Sequence, residues 1–274
     1  MSILQAFILG IIQGLTEFLP ISSSAHLVLT PYLLGWKIPE TQVFSFDVLV
    51  QMGTLVAVIL YFWKDLLSIV QAWLGGLFHR QPFYNAHARM GWYLILATVP
   101  AGIVGMLLKS QVERAFNSPV ATAWFLLITA LLLWAAETIG KRNRTIEAIT
   151  WKDALWIGCF QVLSIFPGIS RSGSTIAGGM TRNLQRRDAG RFSFLMAIPV
   201  MTAAGLLSLL DLIRLPNLST FLPVLVVGFV TSALVGYFSI HWLLGFITRR
   251  SLKPFAFYCI LLAAVVLLFA YVLV

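Results

Sequence analysis

Apolar residues run through this chain in blocks long enough to fill a bilayer, and polar residues gather in the short gaps between them. A helix that crosses the hydrocarbon core needs about 20 mostly apolar residues. Six stretches meet that length, at about 43–62, 90–108, 119–136, 192–210, 221–244 and 254–274, most of them bounded by charges or by Pro and Gly. Two further apolar regions are interrupted. The first, 2–34, is broken by Pro20 and the serine run at 22–24, and the second, 153–181, by Pro167, Gly168 and a hydroxyl cluster. A shorter run at 66–78 reads as a helix lying in the interface or packed on the bundle. Backbone that leaves helical geometry at membrane depth is tolerated only where protein or a wet cavity satisfies its polar groups. Each interrupted region is therefore expected to be a re-entrant hairpin, one helix in and one out across a polar turn, rather than a single kinked crossing.

Charge placement separates those alternatives. With six crossings and two hairpins that do not cross, fourteen Lys and Arg residues in the linkers 63–89, 137–152, 182–191 and 249–253 share one side; only Lys37, Lys109, Arg114 and Arg214 fall on the other. Such a bias marks the first side as cytoplasmic, and turning the hairpins into crossings would weaken it. The first hairpin then enters from outside and the second from the cytoplasm, so the two are inverted.

The two halves also agree in sequence at one shift of 148 residues. Gly10-Ile-Ile-Gln13 matches Gly158-Cys-Phe-Gln161, Ile21–Ser24 matches Ile169–Ser172, and Phe44-Ser45-Phe46 matches Phe192-Ser193-Phe194, with the proline slipping by one. The expected fold is an all-α polytopic membrane protein of six transmembrane helices plus two re-entrant helical hairpins, arranged as an inverted-topology repeat. It forms a single integral membrane domain over 1–274, with repeat 1 at about 1–136, a linker at 137–150 and repeat 2 at about 151–274.

Composition supports the bilayer. Of the 274 residues, 59% are apolar and 11% charged, where soluble domains carry about 25% charge. The formal charge of +9 would suggest nucleic acid in another setting. Here the basic residues occupy linkers, so no nucleic-acid partner is expected, and the run at 182–191 marks the cytoplasmic face. Cys159 and Cys259 lie inside apolar runs without metal-ligand spacing and read as packing residues. No Lys or Arg precedes the first apolar run, which argues against a removed signal peptide.

The polar residues that remain inside the oil carry the chemistry. The first tip offers Gln13, Glu17, Ser22, Ser23, Ser24 and His26; the second offers Ser170, Arg171, Ser172, Gly173, Ser174 and Thr175. A helix restarting at each tip would present free N–H groups and hydroxyls, which suit an anion. Arg171 in hydrocarbon demands an anionic partner or a wet cavity, and its fork suits phosphate. Two such starts and one guanidinium could hold a diphosphate. Glu17 would repel a bare phosphate, so it either binds a divalent cation bridging the phosphates or accepts a proton. Asp47 reads equally as a distant member of the site or an interfacial end residue, whereas His79 and His241 read as structural or interfacial.

QGLTEFLPISSSAH at 13–26 and PGISRSGST at 167–175 resemble the two signature regions of the bacterial undecaprenyl-diphosphate phosphatase family, the integral-membrane kind linked to bacitracin resistance. The resemblance covers nearly the whole chain, including FDVLVQMGTLVAV at 46–58 and ATVPAGIVG at 97–105. It implies hydrolysis of the C55 isoprenoid diphosphate to the monophosphate carrier used in cell-wall polymer synthesis. It also implies a homodimer in the bacterial plasma (inner) membrane, a site open to the outer, periplasmic face, and a divalent cation such as Mg2+ or Ca2+. The family's functional positions fall on Glu17, Ser23, His26, Ser170, Arg171 and Thr175. Gln13 stands where the family carries Glu or Gln, so a carboxylate pair is absent and the cation is expected mainly on Glu17 and substrate phosphates. His26, which Glu17 on the entering arm can approach across the hairpin, is favoured as nucleophile because an imidazole both attacks and titrates near neutral pH, with Ser23 or an activated water as alternatives. A polyprenyl-phosphate flippase or transporter is the rival class, since inverted repeats with broken helices also serve transport.

Overall fold

The computed structural model describes the backbone of residues 1–38, 40–213 and 218–273, and their side chains except those of 40–45, 113, 207–213, 218–220 and 273. Phe44 and Ser45, part of the third repeat match, lie outside the described side chains. The described residues are helical almost throughout. Helices α1 (Ile3–Thr16) and α2 (Ser23–Leu33) form the first interrupted region, and α8 (Trp151–Leu163) and α9 (Arg171–Thr181) form the second. Even α1, with 14 residues, is only about 21 Å long at 1.5 Å per residue, short of a hydrocarbon core about 30 Å thick. None of these four helices can cross alone.

The long helices fall where the apolar blocks place them. They are α3 (Glu40–Tyr61), α5 (Ala86–Leu107), α7 (Pro119–Ile139), α10 (Arg186–Ile213), α11 (Leu218–Arg249) and α12 (Lys253–Leu268). Among the described residues five helices are long and apolar enough to cross a membrane; α3 with α4 (Trp63–Phe78) makes a sixth if that pair, bent by 80°, is one span. The short α6 (Lys109–Phe116) links α5 to α7. So many large apolar side chains face outward, Leu131, Phe238 and Leu268 among them, because lipid rather than water is the solvent there.

The 148-residue shift recurs in the hydrogen bonds. Ser2 and Thr150 each close a capping box at the starts of α1 and α8. Ser22 and Ser170 each cap an 11-residue helix, accepting from the N–H of Ala25 and Gly173. The oxygen pairs Ser22–Ser24 and Ser170–Ser172 are both 3.1 Å apart. Each hairpin packs on a crossing from the other half through small residues. A Cβ added at Gly14 of α1 would sit 2.7 Å from Cβ of Val235 in α11, and one at Gly158 of α8 would sit 2.5 Å from the Ala97 carbonyl oxygen in α5. Close backbone approach of this kind is how helices associate where lipid removes the hydrophobic drive. Phe18, just past α1, meets Phe194 of α10 edge to face at 5.3 Å, which anchors the first tip in the central core.

At the basic end two buried carboxylates tie the segments together. Glu137, at the end of α7, receives Arg142, both Nε and Nη2 of Arg186, and the Leu252 N–H. Asp153, in the first turn of α8, receives Arg144, Arg182 and Thr150. The sequence reading gives the arginines of 182–191 a topological role alone; Arg182, Arg186 and Arg191 also hold carboxylates of α8, α7 and α4.

Candidate active site

Both tips are built by a turn that forces a left-handed residue. In the first hairpin α1 ends at Glu17, whose N–H still bonds the Gln13 carbonyl, and Ser22 takes φ +69° before α2 begins. In the second, Gly168 takes φ +102°, and a Cβ there would collide with the Thr122 carbonyl oxygen. Thr129 of α7 fixes this turn from outside: its hydroxyl donates to the Gly168 carbonyl at 2.8 Å and accepts the Ser170 N–H at 2.9 Å. The tips are tied directly, because the Ser172 hydroxyl donates to the Leu19 carbonyl at 3.0 Å.

Ser23 and Arg171 are the first residues of α2 and α9, 148 positions apart. Both reach one carboxylate. The Ser23 hydroxyl donates to Glu17 Oε2 at 2.5 Å, Arg171 Nη2 donates to Glu17 Oε1 at 2.7 Å, and Gln13 Nε2 donates to Oε2 at 2.9 Å. The pair is largely enclosed, with the Arg171 side chain 14% and the Glu17 side chain 7% exposed. The anion demanded by Arg171 is thus Glu17 itself in this structure. Two atoms stay unsatisfied and buried: Arg171 Nη1, a donor, and Gln13 Oε1, an acceptor. Ser23 and Ser24 are half-buried.

His26 lies elsewhere than the sequence suggests. An approach of Glu17 to His26 across the hairpin is the expectation, but the carboxylate is taken by Ser23, Arg171 and Gln13. The reason is local: Ser23 opens α2 beside the end of α1, while His26 lies three residues, about 4.5 Å, further along the helix. The imidazole sits between the Ser22 carbonyl, 2.7 Å from Nδ1, and the Tyr258 hydroxyl, 2.7 Å from Nε2. A carbonyl only accepts, so Nδ1 carries a proton, and in the neutral imidazole Nε2 holds the lone pair, toward which Tyr258 donates. The two rings stack at 5.7 Å with 6° between planes.

The remaining motif hydroxyls work inside the scaffold. Ser170 caps α9, and Ser174 and Thr175 donate to the Arg171 carbonyl. Thr175 also meets the Ser193 hydroxyl of α10 at 2.6 Å. Gly173 lies against Pro20, which a Cβ would meet at 3.4 Å. Asp47, half-buried on α3, makes no hydrogen bond or ion pair with the cluster. Sequence reasoning misses Tyr258 and Thr129 altogether and meets Ser193 only in a repeat match, not as a site residue. Tyr258 and Thr129 sit in apolar runs with no local motif, and only folding brings all three to the tips.

Among the described residues, no three His, Cys, Asp or Glu side chains gather as metal ligands. The hard oxygen donors beside one another are the Glu17 carboxylate, the unpartnered Gln13 Oε1 and the Ser23 hydroxyl. That set fits Mg2+ or Ca2+ only as part of a shell completed by water or substrate oxygens.

Fold and site together define a polytopic helical membrane protein with a charged cluster where two broken hairpins meet. The sequence model of the bacitracin resistance protein BacA family matches residues 6–265, and the chain belongs to that family. It is 40% identical over 267 residues to the undecaprenyl-diphosphatase of Myxococcus xanthus strain DK1622, covering 97% of this chain and 89% of that protein. It is 41% identical to undecaprenyl-diphosphatase 2 of Stutzerimonas stutzeri strain A1501, covering 97% of this chain and 98% of the relative. The undecaprenyl-diphosphatase of Geotalea daltonii strain DSM 22248 / JCM 15807 / FRC-32 is 43% identical, with 98% of each chain covered.

Proposed function

We propose that this chain hydrolyses undecaprenyl diphosphate to undecaprenyl phosphate and inorganic phosphate, and so recycles the lipid carrier for cell-wall polymer synthesis and confers bacitracin resistance. The observation that carries the reading is the Arg171–Glu17–Ser23 cluster at two converging helix starts, with Arg171 Nη1 buried and unpartnered. A guanidinium with a spare amino group, beside two caps, is suited to an anionic phosphate. The relatives cited above carry the name of this phosphatase, and none of them that of a transporter.

The geometry supports Ser23 as the attacking group. An alcohol needs a base, and Ser23 has one in Glu17 at 2.5 Å. On this reading Ser23 Oγ bonds to the terminal phosphorus as its proton passes to Glu17. The bond from phosphorus to the bridging oxygen breaks, and undecaprenyl phosphate leaves. Water then cleaves the phosphoserine to release phosphate. Arg171 neutralises charge on the transferring phosphoryl group throughout. The reading with His26 as nucleophile rests on its Nε2 lone pair, which becomes available once Tyr258 lets go. A divalent cation, Mg2+ or Ca2+, would be held by Glu17 and Gln13 Oε1 together with substrate phosphates, and when bound it supplies charge neutralisation to the diphosphate.

The charge bias of the linkers supports an inverted repeat. The signature-motif resemblance supports the bacterial inner membrane, a cluster open to the periplasmic side and a homodimer. The test is phosphate release by the purified protein from undecaprenyl diphosphate labelled on the terminal phosphate, with rapid acid and base quenching. An acid-stable adduct assigns Ser23, and an acid-labile, base-stable one assigns His26. No adduct, with one inversion at phosphorus, assigns water. Lipid movement in sealed vesicles without any phosphate release would replace the phosphatase with the transporter.

A further inference from the structure

The basic end of the molecule holds a second polar site, which shares no residue with the hairpin cluster. Where α3, α10 and α11 meet, a cavity of about 450 Å3 is lined by Tyr61, Arg187, His241, Leu244, Thr248 and Arg249, with Gly245 at its wall. A Cβ added to Gly245 would meet nothing within 4 Å, so the wall is open there. Tyr61 and His241, from α3 and α11, are 3.3 Å apart between the phenol oxygen and Nδ1.

Five arginines of this end are held in ion pairs. Arg142 and Arg186 hold Glu137, Arg144 and Arg182 hold Asp153, and Arg191 holds Asp65. Arg187 and Arg249 belong to no ion pair among the described residues, yet both face this cavity. No carboxylate lines it; Asp188, next to Arg187 in the chain and within its electrostatic reach, forms no ion pair with it and is not part of the wall. Two guanidiniums without an ion-pair partner, beside an imidazole and a phenol, make a receptor for an anion, and the fork of each suits phosphate oxygens.

The surroundings say what the phosphate is attached to. His241, Gly245 and Arg249 stand at four-residue spacing along α11, forming one ridge. Beside it runs a second ridge of Leu234, Phe238 and Trp242, which are 60%, 69% and 52% exposed. An apolar ridge that ends in Trp beside unpaired Arg is the pattern of a helix end at the membrane–water boundary. We propose that this cavity binds the phosphate headgroup of an acidic phospholipid, with the acyl chains lying along the Leu234–Phe238–Trp242 ridge. The site is independent of the phosphatase reading.

The test uses purified full-length protein in detergent, with phosphatidylglycerol, phosphatidylcholine or inorganic phosphate added. Thermal unfolding and native mass spectrometry report binding for three proteins: the parent, Arg187→Gln/Arg249→Gln, and Arg80→Gln/Arg250→Gln. The last pair is a charge-matched control, because those arginines do not line the cavity. Phosphatidylglycerol should raise the unfolding midpoint and remain bound to the parent and the control, and its affinity should fall about tenfold or more in Arg187→Gln/Arg249→Gln. Equal loss in the control would reduce the effect to general charge and overturn the site. An equal response to phosphatidylcholine would overturn the anion, and an equal response to inorganic phosphate would overturn the lipid. Phosphate release should be unchanged in both variants.

Discussion

Arg171 meets Glu17 through one terminal amino group and keeps the other buried without a partner. That spare donor is why lysine cannot replace it: an ammonium is a point charge and cannot hold Glu17 and a phosphate oxygen in one planar fork. Arg171→Lys is expected to insert and fold normally but to lose activity by roughly 10²-fold, the scale of one transition-state donor. Phosphate release from the purified variant checks it, and near-native turnover would remove the clamp. Tyr258 poses a different question, because its ring and hydroxyl both engage His26. Tyr258→Phe keeps the stacking ring and deletes one hydrogen bond worth about 1 kcal/mol. If the hydroxyl positions His26 for the reaction, kcat should fall about fivefold with KM nearly unchanged. A raised KM at constant kcat would make Tyr258 a substrate contact instead, and unchanged kinetics would leave it to packing.

At the scale of elements, the second hairpin is held at both ends by side chains from outside it. Thr129 fixes its tip, and Asp153 fixes its base by joining α8 to the 137–150 linker through Arg144 and to the end of α9 through Arg182. Burial pushes the Asp153 carboxyl up, but hydrogen bonds from Arg144, Arg182 and Thr150 outweigh it and hold the group well below the usual carboxylate range. A carboxyl depressed in the folded state contributes stability at pH values above its unfolded value of about 4, and that contribution is lost as pH falls through the folded value. Asp153→Asn should therefore destabilise the protein by about 3 kcal/mol at neutral pH, near the low end for a broken buried pair because both arginines are partly exposed. Below pH 4 the gap between parent and variant should narrow. Thermal unfolding across pH measures both; a gap independent of pH would assign the loss to packing instead.

For the molecule as a whole, the distribution of basic linkers predicts that 141–152, 182–191 and 249–253 share one side of the membrane, with the termini and the 109–118 loop on the other. Single cysteines at Asn143 and Asn117, in a background without Cys159 and Cys259, should label oppositely with an impermeant thiol reagent in intact cells. Labelling of both from outside would remove the six-crossing arrangement and the inverted hairpins with it. The cross-packing of the halves makes the arrangement cooperative. With α1 on α11 and α8 on α5 through glycine contacts, each hairpin packs against a helix of the other half.

What the sequence determined by itself is what one-dimensional order can carry. Block length against bilayer thickness specified the long helices, Pro20 and Pro167 with the serine clusters specified the breaks, and the repeated ISS and ISR steps specified where α2 and α9 restart. The membership of Gln13, Glu17, Ser23 and Arg171 in the tips was legible too, because a polar residue in an apolar run has few other reasons to be there. Their pairing was not. Whether Glu17 faces Ser23 or His26 depends on the rotation of α2 about its axis, which is set by the left-handed turn at Ser22 and by contacts with distant helices. Tyr258 reaches His26 across 232 positions of chain, and Thr129 reaches the Gly168–Ser170 turn across about 40. Within the apolar run around Tyr258, no local pattern distinguishes a hydroxyl aimed at the site from one aimed at lipid. Only the packing of α12 and α7 against the two hairpins decided that, because a side chain's partner is fixed by the facing helix and not by its neighbours in sequence.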